Sequence, residues 1–357
     1  MSRSSLERAF HDGRSIILHS VAGGDVYPGT ESLQRLDLQK IVCIPLQSFK
    51  GTGNTQTTGM LRRDITGVLY LDGRQASGAL SAASIALLES LAFEAAKALD
   101  TVRLMQQEEE KLRMEKELLT AHEVQLALLT ADRLESNFCE LSAHSVPSRY
   151  VDGDFFDLFT IEGGRMAFLL GDVAGKGISA ALLASMAQGV LHTHLCAGTD
   201  ISSTVRILNR FFVAKNSSCR FLTLFCGVLH PDGRLTFLNA GHNPPLLLRH
   251  DGGVEKLEAG SMVVGLFEDV PFEENEVRLR GGDLLVAYTD GLTEAVGPSG
   301  KMFGEARLQE TCRAAIHLSA QETRDRIFAS AAEFTRGLAQ SDDITVVVLK
   351  MSPPLRT

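Results

Sequence analysis

Gly171-Asp172-Val173-Ala174-Gly175-Lys176-Gly177 follows directly on the apolar run Met166-Ala167-Phe168-Leu169-Leu170. The run predicts a short buried strand. The glycine-punctuated segment after it predicts a turn where small residues let backbone carbonyls approach a bound group. Two distant segments repeat the arrangement: Tyr288-Thr289-Asp290-Gly291 follows the β-prone Leu284–Ala287, and Asp342-Asp343-Ile344-Thr345 opens the run Ile344–Leu349. Upstream lies Gly153-Asp154-Phe155-Phe156-Asp157. Carboxylates are thereby placed at strand ends, where a sheet can aim them at one point. Gathered without compensating Lys or Arg, they repel one another unless a cation sits among them. Oxygen-only donors suit magnesium or manganese better than zinc, which prefers nitrogen and sulfur. The pattern points to a two-metal hydrolytic centre.

Working outward, strands are expected at 140–145, 155–161, 166–170, 223–229, 234–239, 245–248, 276–279, 283–288 and 344–350. Helices are expected at 179–196, 201–213, 304–315 and 320–336. Strands outnumber helices, and turns such as His230-Pro231-Asp232-Gly233 suit antiparallel pairing, which argues against a doubly wound parallel sheet. The fold class is α+β: a β-sandwich with helices outside both sheets, an α-β-β-α stack.

Upstream, Ser15–Leu18, Ile41–Leu46 and Gly67–Asp72 are β-prone, and Lys50–Thr58 is a polar, Gly/Thr-rich loop. A helix without Gly or Pro follows from about Ser81 to Thr130. Met105, Leu112, Leu119 and Leu126 recur every seven residues along it, one seam of a coiled coil. The companion seam is poor, because Glu108, Glu115 and His122 fall on it. The expected organisation is a sensor-like region at 1–104, a helical linker at 105–135 and a catalytic domain at 136–352.

Composition narrows the function. The 357 residues suit two domains, and 44% hydrophobic content suits a globular core. A net charge of −9 argues against nucleic acid or an anionic membrane as the main partner. No run approaches the length needed to span a bilayer and no signal peptide is recognisable, so a cytoplasmic protein is expected. The six cysteines lack Cys-x-x-Cys spacing and read as reduced thiols. No P-loop and no Cys-x5-Arg nucleophile loop occurs.

Phe138 to Met351 resembles the PPM (type 2C) metal-dependent serine/threonine phosphatases, above all their bacterial SpoIIE- and RsbU-like branch. The resemblance rests on Val151–Asp157, Gly171–Gly177, Asn239-Ala240-Gly241-His242-Asn243-Pro244-Pro245, Tyr288–Gly291 and Asp342–Thr345, in the family's order. It implies two Mn2+ or Mg2+ ions whose acidified bridging water displaces a serine or threonine alkoxide in line, without a phosphoenzyme. By the same resemblance Asp172 bridges the ions with the Val173 carbonyl as a further ligand. Asp290 and Asp154 are ligands, as is Asp342 with Asp343 in support, a pair whose roles are interchangeable at this level. Asp157 either faces solvent or holds a metal-bound water, and Asp152 adds charge where the family commonly has Gly. Arg149 occupies a position where the wider family holds phosphate; Lys176 either steers the phosphoryl group or is an exposed turn residue. His242 reads as a structural turn histidine rather than a general acid, and His192 and His194 point to different helix faces.

The implied substrate is a phosphoprotein, a STAS-type anti-sigma antagonist or similar regulator. The alternative is a catalytically silent phosphatase-like scaffold that works by partner binding. The N-terminal region resembles the second half of a GAF sensor domain through Pro45-Leu46, Gly67–Asp72 and the helix Leu87–Leu104. A homodimer through that region and the linker is the expected assembly.

Overall fold

The structure, a computed structural model, describes residues 3–19, 40–50, 62–73, 80–127, 131–148, 153–215, 220–258 and 260–352. Arg149, Asp152, Cys219 and the loop expected after Lys50 lie outside the described residues, as does the side chain of Leu126. The chain divides into two compact units, 1–114 and 115–357.

The first unit holds helix α1 (Arg3–Asp12) and strands β1 (Ile16–His19), β2 (Lys40–Lys50) and β3 (Arg62–Gly73). The strands form an antiparallel sheet in the order β1-β2-β3. Ala9, Ile41 and Cys43 are buried on one face; Val42 and Ile44 pack with Ala92 on the other. Ala92 belongs to helix α2 (Ala82–Ala127), and the division between the units falls inside this helix.

The second unit is the expected sandwich. One antiparallel sheet has the order β11-β10-β13-β14-β5-β4 and the other β12-β9-β8-β7-β6. In chain order these strands are β4 (Arg133–Glu135), β5 (Cys139–Val146), β6 (Asp154–Ile161), β7 (Arg165–Val173), β8 (Leu222–Leu229), β9 (Arg234–Ala240), β10 (Leu246–Leu248), β11 (Val254–Lys256), β12 (Asn275–Arg278), β13 (Leu284–Tyr288) and β14 (Ile344–Met351). Alternation along the strands divides the side chains between two faces. Phe156, Leu158, Phe168, Leu170, Phe225, Val347 and Leu349 fill the space between the sheets.

The outward residues of β6–β9 pack on α3 (Ile178–Cys196) and α4 (Ile201–Lys215). Those of β10, β13 and β14 pack on α5 (Asp290–Thr293), α6 (Gly304–Ala314) and α7 (Ala320–Thr335). Ser319 caps α7 with a reciprocal Ser319–Glu322 box, a signal legible in Ser-Ala-Gln-Glu. The short strands β4 and β11 and helices α1 and α5 have no counterpart in the sequence expectations. β4, β11 and α5 are three or four residues long, too short to show a periodic pattern; α1 is longer, and its Leu6, Ala9 and Phe10 do follow helical spacing.

Candidate metal centre

Strand pairing assembles the site. Asp154 and Asp172 stand directly opposite each other on neighbouring strands β6 and β7. Their positions share the inward parity of Phe156, Leu158, Phe168 and Leu170, so both lie where the inter-sheet core reaches its edge. The second sheet closes on them from across the sandwich. Thr345 Oγ1 donates to Asp154 Oδ2 at 2.7 Å and lies 2.8 Å from Ser145 Oγ, a polar chain between the sheets. Thr289 Oγ1 accepts from the Thr345 amide at 2.9 Å, which fixes the approach to Asp290.

Two glycines make this convergence possible. A Cβ on Gly153 would lie 2.6 Å from the Val173 carbonyl oxygen and 3.2 Å from Asp172 Oδ1. A Cβ on Gly291 would lie 2.0 Å from the Asp343 carbonyl oxygen. The bare backbone therefore leaves a cradle in front of the Val173 carbonyl and the Asp172 carboxylate, and lets the Asp290 turn press against the 342–343 segment.

The electrostatics are those of crowded acids. The carboxyl of Asp172 is pushed up to about 7, by burial first and then by the charges of Asp290, Asp342 and Asp343, with Lys176 opposing. Asp154, 7% exposed, is raised by burial and by Asp172, against hydrogen bonds from Thr345 and Thr289. Asp290 is raised by burial and by Asp342. Asp342 pairs with Lys176 at 2.9 Å. Asp343 points away from that pair: its Oδ1 accepts from the Ser148 amide at 2.8 Å, and its own amide donates to Asp342 Oδ1 at 3.1 Å. The expected acids thus gather at one end of the sandwich, with Asp343 turned to fasten the loop.

This donor set fits divalent cations that favour oxygen. It offers carboxylates and a carbonyl, no nitrogen or sulfur, and burial together with neighbouring acids raises the proton affinity of Asp154, Asp172 and Asp290. Among the described residues no three such side chains close on a single point as a ready cage. Magnesium-like ions, which retain several waters and take only one or two carboxylates each, suit such an open arrangement.

Asp157 belongs elsewhere. Expected to face solvent or to hold a metal-bound water, it is 1% exposed on the outward face of β6 and lies 2.8 Å from His192 Nδ1 on α3. The parity of Asp157 with Phe155 and Phe159, rather than with Asp154, was the signal that could have revealed this. The His192 ring also packs on Phe159, with centroids 4.2 Å apart. His242 is buried and contacts Thr223 Oγ1 through Nδ1 at 2.9 Å, while its amide donates to Asn239 Oδ1 at 2.8 Å. Burial lowers its pKa to about 4, so it is a neutral residue bracing the turn.

The family description Stage II sporulation protein E (SpoIIE) matches residues 162–352, more than half of the chain. The chain belongs to the SpoIIE family. The SpoIIE match begins after Asp154, which the β6–β7 pairing joins to the matched segment. Phosphoserine phosphatase RsbU of Bacillus subtilis is 29% identical over 252 residues, 70% of this chain and 73% of RsbU. Protein IcfG of Synechocystis is 29% identical over 239 residues; the match covers 59% of this chain but only 37% of IcfG. Among solved structures, the SiaA-PP2C domain of Pseudomonas aeruginosa superposes with TM-score 0.58 at 20% identity, over 68% of this chain and 98% of that one. The PP2C domain of Bacillus subtilis SpoIIE with a regulatory fragment gives 0.54 at 22% identity, over 61% and 64%. The sandwich of this SpoIIE-family chain is the PP2C fold. No helix among the described residues is long and apolar enough to cross a membrane.

Proposed function

We propose that the chain is a metal-dependent serine/threonine phosphoprotein phosphatase of bacterial regulatory signalling. The observation that carries this reading is the cluster Asp154, Asp172, Asp290 and Asp342 at the open end of the PP2C sandwich, where burial first and then the neighbouring acids raise Asp172 to about 7. Family membership and the 29% identity with a protein named phosphoserine phosphatase support it. A silent scaffold would have no use for so costly a cluster.

Two Mn2+ or Mg2+ ions bound there would supply an acidified water and positive charge for the phosphoryl oxygens. Asp172, Asp154, Asp290, Asp342 and the Val173 carbonyl are the proposed ligands. Thr345 and Thr289 orient Asp154, and Asp343 anchors the loop that presents Asp342. Arg149 and Lys176 are the proposed phosphate-side cations.

The substrate would be a phosphorylated STAS-type regulator or similar protein, in keeping with the regulatory relatives. Assembly would be a homodimer through α2, whose Met105, Leu112 and Leu119 are all exposed in the single chain.

Manganese-dependent phosphate release from a phosphoserine peptide tests the reading. Wild type is expected to require metal, and Asp172→Asn and Asp290→Asn each to lose about a hundredfold or more, beyond what loss of a supporting residue costs. Wild-type hydrolysis that persists in EDTA, or full activity in both variants, would sink it.

A further inference from the structure

Lys176 lies between two glycines with φ of +109° (Gly175) and +85° (Gly177), values that side-chain-bearing residues rarely adopt. The loop path, and with it the origin of the lysine side chain, is therefore set by glycine. From the turn after β7 the side chain crosses to the turn before β14. There its Nζ lies 2.9 Å from Asp342 Oδ1 and donates to the Ser341 carbonyl at 3.0 Å. One ammonium thus ties the loop of Asp172 to the loop of Asp342.

The same charge acts beyond its contact, because it lowers the proton affinity of both Asp172 and Asp290. Lys176 faces the acids that the proposed metal centre would use. Its pair with Asp342 is 45% exposed on both sides. Exposed pairs of this kind are weak, since water competes for both partners. A divalent cation brought to the same carboxylate both repels the ammonium and offers the oxygen twice its charge. Asp342 Oδ1 also accepts from the Asp343 amide, so exchanging Lys176 for a metal ion leaves that anchor in place and requires only a lysine side chain to turn.

We infer that Lys176 is a tethered cation that occupies Asp342 when metal is scarce and yields it to the incoming ion, setting the metal affinity of the site. The inference rests on the two-metal reading above. It makes Lys176 a positioning residue that holds the loops together before metal binds, at the cost of weaker binding.

Calorimetric titration of the full chain with Mn2+, comparing wild type, Lys176→Met and Lys176→Arg, tests this. Lys176→Met is expected to bind Mn2+ about three- to fivefold more tightly, the factor that corresponds to a weak exposed ion pair. Lys176→Arg should stay near wild type. In wild type, acetylation of the Lys176 amine, read by mass spectrometry of its peptide, should rise several-fold when Mg2+ is added.

A lysine that merely organises the loop predicts the opposite sign, so equal or weaker binding in Lys176→Met overturns the inference while leaving the metal centre intact. Labelling that ignores Mg2+ overturns it too. If no protein in the series binds Mn2+, the metal centre itself falls, and the inference with it.

Discussion

Replacing Asp172 with asparagine should make the metal-free protein more stable, and increasingly so as the pH rises. Burial and the neighbouring acids push this carboxyl from 3.8 up to about 7 in the folded chain. A folded pKa above the unfolded one means that the native state holds the proton more tightly. Stability is then complete below the unfolded value and is lost as the pH climbs through about 7. At 1.36 kcal/mol per tenfold change in proton affinity, the ceiling is about 4 kcal/mol. Solvent at the partly exposed carboxylate and the nearby Lys176 reduce this, and about 1–2 kcal/mol is the expected gain at pH 8. For a domain of this size each kcal/mol moves the melting temperature by about 2–4 °C, so the variant should melt about 2–8 °C higher in EDTA.

Metal reverses the order. An ion at a hundred times its Kd stabilises the protein it binds by about 2.7 kcal/mol, a gain that the asparagine variant largely forgoes. Differential scanning calorimetry of the full chain at pH 4, 6 and 8, with EDTA or with Mn2+, reads both effects on the transition that Mn2+ shifts. The gain should be near zero at pH 4 and largest at pH 8. A variant less stable than wild type at pH 8 in EDTA, or equally advantaged at pH 4, would refute the account of Asp172 as a strained acid awaiting a cation.

Gly291→Ala places a Cβ 2.0 Å from the Asp343 carbonyl, so the β14 entry must shift; a loss of about 1–3 kcal/mol is expected. Mn2+ affinity should fall with it in calorimetric titration, and wild-type affinity would show that the close approach is immaterial. His192→Ala removes the Nδ1 partner of the buried Asp157 and should cost about 1–3 kcal/mol in urea unfolding, with Mn2+ binding unchanged. Unaltered stability would mean that the pair contributes nothing. Leu112→Lys with Leu119→Lys puts charge on the exposed seam of α2 and should abolish dimers in light scattering and lower phosphatase activity. If both persist, the helix is only a tether.

The sandwich was legible because its strands are apolar on both faces or alternate cleanly, and because Gly and Asp-Gly turns separate them. Met166–Leu170 and Ile344–Leu349 could hardly be anything but buried strands, and both are. The acids were legible for the same reason: each sits at the end of such a run, beside a glycine in the case of Asp154, Asp172 and Asp290. Their neighbours were not. That Asp157 serves the α3 packing rather than the metal centre depends on which face of β6 meets the other sheet, a tertiary fact. That Thr345 reaches Asp154 depends on two strands 191 residues apart in sequence. Lys176 shows the limit most clearly. In sequence it is a turn lysine between glycines, read first as exposed to solvent and second as a phosphate-steering cation. The approach of the Ser341-Asp342 turn brings it to one of the acids the metal centre would use. A site built from strand ends declares its charged residues in the sequence, whereas the balance of those charges appears only once the ends have met.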